Sequence, residues 1–219
     1  MRNKLKNIYS KIKKFTIDNK KIATISVIIF VLVGVIVGLN INTPKFYLQS
    51  PKNSISSESK DEIIIPAVLS KLSDNKYPAA SVGITFDKNK LEFVGIKLGT
   101  METYDDYNEE SKGEKRFKVP NWVYNVDVAN QKGEINAMYL DTTASKNAYN
   151  IEGFKKKEKD ILFRLVFKLK DSVIPKDKID INIEEVVFAT ITGDVDKTTL
   201  STKDNYGKLK TEDAIIKLK

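Results

Sequence analysis

The chain has 219 residues, with 37 Lys or Arg against 29 Asp or Glu, and it contains neither histidine nor cysteine. Without these two residue types the protein can form no disulfide, no Ser-His-Asp or Cys-His catalytic system and none of the usual zinc sites. Enzymes that work with carboxylates alone, and binding proteins, are the classes that this composition leaves.

The formal net charge of +8 is concentrated at the N-terminus. Residues 1–40 hold eight of the 37 basic residues and one of the 29 acidic residues, which leaves 29 basic and 28 acidic residues in 41–219. A nearly neutral mixture of both signs is typical of an ordinary solvated surface. Because the larger part of the chain lacks a basic footprint, we predict no nucleic-acid partner.

A run of 18 uncharged residues, Ile22–Leu39, follows the basic segment. As a helix it would rise about 27 Å, close to the roughly 30 Å of a bilayer core, and the basic flank would stay in the cytoplasm. A cleaved signal is the alternative, but the run exceeds the usual core of about 7–15 residues and no small-x-small site follows. We therefore predict a cytoplasmic tail (1–21), a transmembrane signal-anchor helix (22–40), a linker (41–44) and an extracytoplasmic domain (45–219).

The predicted extracytoplasmic domain has the pattern of an all-β protein. Short alternating or β-branched segments recur between turn signals, Pro66 indicates an edge or a bulge, and residues 99–121 form a long charged connection. Nine or ten strands at this spacing predict a nine-stranded β-sandwich or jelly roll. The predicted strands are 46–48, 62–69, 77–86, 91–98, 122–128, 134–140, 161–169, 179–183, 186–191 and 214–218.

Several segments of this domain, taken in order, resemble those of cohesin domains, the modules that capture dockerins in clostridial cellulosomes and related surface complexes. Ile63–Leu69 resembles the family's second strand. Val82–Ile96 is similar to the family's Tyr-Asp-Pro-x-x-Leu hairpin, with Phe86 in place of the tyrosine and Lys88 in place of the proline. The other matching segments are Gly99, which closes that hairpin, Gly133–Ile135, Tyr139–Thr143, Ala148–Gly153 and Ile161–Lys170.

The resemblance implies a sandwich of cohesin or carbohydrate-binding-module type that is not an enzyme, needs no cofactor and binds its partner through one sheet face. Small outward residues on 77–86 would give either a flat surface for a partner helix or a plain solvated strand. On 134–140, one alternating set would expose Met138 and Leu140, as a docking site needs, but the sequence does not decide which set faces outward. The candidate partner-binding residues are Ala79, Ser81, Gly83, Thr85, Asn136, Met138, Leu140 and Thr142.

Carboxylate pairs are the candidates for a metal or an acid–base site, and we predict neither. Glu184 and Glu185 are adjacent in a predicted strand and would point to opposite faces. The acidic residues at 105–110 lie in a lysine-flanked loop and are predicted to be solvated, and residues 194–196 lack the third ligand and the glycine of an EF-hand loop. The resemblance places the calcium in the dockerin partner.

Aromatic residues offer a different function, the stacking of polysaccharide. Trp122 and Tyr124 share a face of a predicted strand, which favours a place in the core or at its rim. We predict a membrane-tethered module that captures a dockerin-bearing partner, such as a secreted carbohydrate-active enzyme; a carbohydrate-binding module and a structural envelope or adhesion protein are the alternatives. The stacking candidates are Tyr104, Tyr107, Trp122, Tyr124 and Tyr149.

Overall fold

The computed structural model describes residues 43–72, 75–105, 116–143, 147–151, 160–190, 199–203 and 207–219. From Pro44 onward these residues belong to one compact unit. The predicted membrane segment, Ile22–Leu39, lies outside the described residues. Within the described ranges, no helix combines the length and the apolar character of a membrane span.

Two β-sheets account for nearly all regular structure in the described residues. The first has five strands in the order β12-β1-β2-β8-β4, and the second has six, in the order β11-β10-β9-β3-β7 with β13 paired to β9. A separate hairpin joins β5 and β6. The elements are β1 (Lys45–Leu48), β2 (Ile63–Leu69), β3 (Ala79–Phe86), β4 (Leu91–Leu98), β5 (Thr103–Asp105), β6 (Arg116–Lys118), α1 (Val126–Lys132), β7 (Glu134–Leu140), β8 (Ile161–Leu169), β9 (Lys178–Ala189), β10 (Leu200–Ser201), β11 (Gly207–Lys208), β12 (Lys210–Glu212) and β13 (Ala214–Lys217).

The sheets pack face to face around one apolar core, which makes the domain a β-sandwich. Alternate residues of β3 are buried, and the inward residues of β8 form the opposite wall. Phe86 on β3 and Phe167 on β8 meet with ring centroids 5.3 Å apart. Burial of each such side chain contributes about 1.5–3 kcal/mol, so the core holds the two sheets in a fixed relation.

The predicted strand at 122–128 is wrong, because helix α1 begins at Val126 and, of the residues before it in that range, only Val123 makes a β-bridge, to Met138. Asn125 caps the helix by accepting a hydrogen bond from the Val128 amide, and Gly133 ends it in the left-handed conformation with φ of 78°. The Asn130 side chain then bonds both the amide and the carbonyl of Phe93, each at 2.8 Å. The helix therefore covers part of the outer edge of β4.

The two predicted strands at 179–183 and 186–191 are one strand, β9. A shift of register against β3 falls between Gly83 and Ile84, and β9 continues through it as a bulge. The prediction of nine strands is also too low, since the described residues contain thirteen strand segments, five of which have two or three residues. The all-β sandwich itself is confirmed.

Two smaller predictions also need correction. Pro66 does not lie on an edge strand, because β2 pairs with β1 on one side and with β8 on the other. The predicted irregularity is present one residue later, between Ala67 and Val68. The connection at 99–121 contains the hairpin of β5 and β6, while its residues 106–115 lie outside the described ranges.

Candidate partner-binding face

The outward surface of the six-stranded sheet is centred on β3, which lies between β7 and β9. The four predicted outward residues of β3 are all partly exposed, and the residues between them are buried. Their small side chains form a low strip, and the longer side chains of β7 and β9 project further on both sides of it. The strip consists of Ala79, Ser81, Gly83 and Thr85.

The structure decides the open question about β7. Its register with β3 pairs Ile84 with Ile135 and Val82 with Ala137, so both of these β7 residues enter the core. Met138 and Leu140 consequently point outward and are 57% and 67% exposed. Asn136 is exposed on the same face, between Met138 and the start of β7 at Glu134.

Val123, which was not among the predicted partner-binding residues, extends this apolar surface. Its amide donates to the Met138 carbonyl at 2.7 Å, and the Met138 amide donates back at 2.9 Å. Residues paired in this way share a face of the sheet, so Val123, which is 69% exposed, lies beside Met138. The alternation of the predicted strand was an available signal: with Trp122 and Tyr124 on the inward face, Val123 between them points outward.

Thr142, the eighth candidate, is exposed but lies beyond the end of β7 and outside the sheet face. Its loop is ordered by Asp141, whose carboxylate accepts the Thr143 amide at 2.8 Å and the Asn147 amide at 3.0 Å. This loop lines a small pocket of about 170 Å³ next to Leu140. Thr142 therefore belongs to the rim of the face.

The other end of the face is polar, and here the bulge in β9 overturns a prediction. Glu184 and Glu185 do not point to opposite faces: the Thr85 hydroxyl donates to Glu184 at 2.8 Å, and Glu185 pairs with Lys203 at 2.7 Å. The inward residues Ile183 and Val186 pair with β3 on either side of the two glutamates. The extra residue breaks the alternation, so both carboxylates lie outward.

Buried aromatic side chains lie beneath the part of the face that carries Val123, Met138 and Leu140. The indole N–H of Trp122 donates to the Tyr149 hydroxyl at 3.0 Å, and the rings of Trp122 and Phe163 lie 4.7 Å apart. Burial raises the pKa of Tyr149 well above its ordinary value, against the opposing effect of the hydrogen bond from Trp122. The pKa of Tyr139 is also raised, first by burial and then by the charge of Asp141.

These contacts do not support an exposed aromatic platform. Trp122 and Tyr149 are 6% and 0% exposed, and Tyr124 is partly buried, with its hydroxyl directed at the Ile96 carbonyl. The backbone of Tyr104 lies in β5, and Tyr107 is outside the described residues. Trp122 is therefore in the core and Tyr124 at its rim, as predicted, and Tyr149 is buried as well.

The metal candidates are only partly within the described ranges. In those ranges there is no group of three or more acidic side chains placed to hold a metal ion. Asp106, Glu109, Glu110 and residues 194–196 lie outside them. Of the candidate pairs, the structure thus describes in full only the two glutamates at the β9 bulge.

Comparison with known proteins gives matches among solved structures. No protein-family model and no curated protein matches the sequence. The sixth cohesin of scaffoldin B from Acetivibrio cellulolyticus, solved with a dockerin, has 18% identity and a TM-score of 0.53, over 81% of this chain and 100% of that one. The OlpC cohesin of Clostridium thermocellum, also solved with a dockerin, has 12% identity and a TM-score of 0.53, over 81% and 94%.

A second complex from Clostridium thermocellum, formed by the OlpA cohesin and a dockerin, has 18% identity and a TM-score of 0.50, over 81% of this chain and 100% of that one. At such identities the likeness concerns the fold, and the chain has the β-sandwich fold of cohesin domains.

Proposed function

We propose that the domain is a protein-binding module that captures a dockerin-bearing partner on the outward face of β7, β3 and β9. The observation that carries the proposal is the group of three exposed apolar side chains, Val123, Met138 and Leu140, beside the low strip of β3. Contiguous exposed apolar groups with a polar surround are typical of protein interfaces. The similar solved cohesins that are bound to dockerins support this class of partner.

Binding on this face would be rigid docking. Backbone pairing on both sides fixes β3, and the Val123 bridge fixes β7, so the surface exists before the partner arrives. Apolar contact with Met138 and Leu140 would supply most of the affinity. The hydroxyls of Ser81 and Thr85 would set the register of a helical partner.

The role is binding and not catalysis, and it needs no cofactor in this chain. The calcium ions belong to the dockerin, as the resemblance implies. We propose a secreted carbohydrate-active enzyme as the protein that carries the dockerin. A carbohydrate-binding module is the weaker alternative, because Trp122 and Tyr149 are buried and cannot stack on a sugar.

The binding proposal is tested with purified residues 44–219, which form a compact unit with its own core. The immobilised domain should retain at least one calcium-loaded dockerin encoded in the same genome, and it should not be retained by insoluble cellulose. A domain that binds cellulose and no dockerin would overturn the proposal. If it binds neither, the structural envelope or adhesion function is favoured.

We also propose that Ile22–Leu39 tethers the domain to the membrane, with the basic N-terminus in the cytoplasm. The support is the charge asymmetry around an 18-residue uncharged run. The linker 41–44 would then hold the partner close to the bilayer, inside any cell wall. Full-length protein should stay in the membrane pellet after alkaline extraction. Release of the domain by protease from intact, walled cells would contradict the short tether.

A further inference from the structure

The partner-binding face changes character along the direction of β3. Two rows of residues across the sheet form what we call the apolar end, and two rows form the acidic end. Val123 adds a third apolar side chain beside Met138, and Glu184 adds a carboxylate at the bulge. The apolar rows are Leu140–Ala79–Ala189 and Met138–Ser81–Val187, and the acidic rows are Asn136–Gly83–Glu185 and Glu134–Thr85–Asn182.

The shape of the face is a shallow trough with β3 as its floor. At Gly83 an added Cβ would have Asn136 Oδ1 at 3.7 Å on one side and Glu184 Cβ at 3.8 Å on the other. The floor from Ala79 to Thr85 extends about 20 Å, which matches about 13 residues of helix. The trough therefore fits a single helix of three to four turns laid along β3.

The charges at the acidic end are only partly compensated within the domain. Lys203 pairs with Glu185 at 2.7 Å. Glu184 accepts the neutral hydroxyl of Thr85, and Glu134 is exposed at the end of β7. In the part of the chain that the structure describes, neither Glu184 nor Glu134 has a cation within ion-pair distance. Two carboxylates consequently lie at one end of the trough with no cationic partner among the described residues.

From this arrangement we infer that the partner helix is amphipathic and asymmetric, with large apolar residues at one end and Lys or Arg at the other, and that it docks in one orientation along β3. Its apolar end packs on Val123, Met138 and Leu140. Its cationic end faces Glu184 and Glu134, where the opposite orientation would place apolar groups on charge and desolvate both carboxylates. The inference depends on the proposed function only in taking the partner to be a helix bound on this face.

The test is a selection from a yeast-displayed library of 14-residue helices held on a helical-hairpin scaffold, with Leu, Lys, Glu and Ser allowed at each exposed position. Helices selected on the wild-type domain should carry Lys in one terminal turn and Leu in the other. Selection on the double variant Glu134→Lys/Glu184→Lys should replace Lys by Glu at that same end. The matched control is Glu92→Lys on the opposite sheet, which should select the wild-type pattern.

Affinity gives a second measurement on the same material. A helix selected on the wild-type domain should bind the double charge variant about tenfold more weakly or worse, and most of that loss should disappear in high salt. Lys spread over both ends, an unchanged pattern on the double variant, or no selected helix at all would each overturn the inference. If the domain retains no dockerin but still selects helices with Lys at one end and Leu at the other, the proposed partner is wrong and the inferred orientation is still supported.

Discussion

The outward faces of the two sheets differ in how their exposed apolar and charged side chains are arranged. On the five-stranded sheet, Ile64 and Val94 are 42% and 36% exposed, on either side of the buried Val166, and pairs of opposite charge lie on the same strands. Lys97 pairs with Glu62, and Glu92 lies opposite Lys168 in the register of β4 and β8. On the six-stranded sheet the exposed apolar groups adjoin each other, and acidic groups collect at the far end.

The difference indicates that the outward face of the five-stranded sheet is an ordinary solvent-exposed surface. Neighbouring charges of opposite sign need no further partner, and partly exposed apolar groups among them are ordinary for a soluble protein. An apolar cluster beside uncompensated carboxylates gains from being covered. The predictions below test this contrast between the faces, beginning with the largest effect.

Replacing both Met138 and Leu140 by Glu should abolish partner capture. Each side chain is a candidate hot spot, and loss of about 2 kcal/mol at each would weaken dockerin binding roughly 1,000-fold. Ile64→Glu on the other sheet is the matched control and should leave the affinity unchanged. Isothermal titration with a retained dockerin measures both. Equal losses in the two variants would show that the faces do not differ in function.

Two glycines differ in how closely other atoms approach their backbone. An added Cβ at Gly99 would lie 2.0 Å from the Ile161 carbonyl oxygen, whereas the nearest atoms at Gly83 are 3.7 Å away. Gly99→Ala should therefore lower the free energy of unfolding by about 3 kcal/mol through overpacking. Gly83→Ala should change it by less than about 1 kcal/mol. Urea denaturation of the two variants decides this, and similar losses at both positions would contradict the close approach at Gly99.

Tyr149→Phe should destabilise the support beneath the apolar end. The variant leaves the Trp122 indole N–H without its acceptor in the core, which costs about 1–3 kcal/mol. Because burial raises the pKa of Tyr149 in the folded state, its contribution to stability is complete below the unfolded value of about 10 and is lost as the pH rises above it.

The wild-type protein should accordingly lose stability between about pH 10 and pH 12, and the Tyr149→Phe variant should lose less over that interval. Urea midpoints at several pH values measure the slope. Burial also raises the pKa of Tyr47, at a partly exposed site on the other sheet, so Tyr47→Phe is the comparison and should reduce the slope less than Tyr149→Phe. A slope unaffected by Tyr149→Phe would mean that this tyrosine does not couple folding to alkaline pH.

The smallest effect is expected for Lys97→Met on the five-stranded sheet. Its hydrogen bond lowers the pKa of Glu62, but both side chains are well exposed, so the pair should contribute no measurable stability. An NMR titration should show the pKa of Glu62 returning toward its usual value in the variant. A clear change in the melting temperature would mean that this ion pair contributes to stability, and would contradict the description of this face as an ordinary solvent-exposed surface.

The long strands were predictable because their side chains alternate without interruption. β3 and β8 each carry a clear inward set, and the outward residues of β3 were predicted correctly. The parity of β7 was not predictable, since both of its alternating sets contain large apolar residues. The pairing of Ile135 with Ile84, a contact between distant parts of the chain, decides it.

Helix α1 was missed for a physical reason. It has seven residues and buries only Ala129, so it shows no helical period. Its end signals were nevertheless present: Asn125 as cap, Asp127 in the first turn, Lys132 in the last turn and Gly133 after it. The bulge at Glu184 gave no comparable signal, because it arises where β9 matches the register of β3.

The position of Trp122 has a spectroscopic consequence. It is the only tryptophan of the chain, the residue is 6% exposed, and the next residue, Val123, lies on the proposed partner-binding face. All the tryptophan fluorescence of the protein therefore comes from one ring directly beneath the surface that a partner would cover. A partner without tryptophan should shift or quench that emission on docking, so binding could be followed on the unlabelled protein.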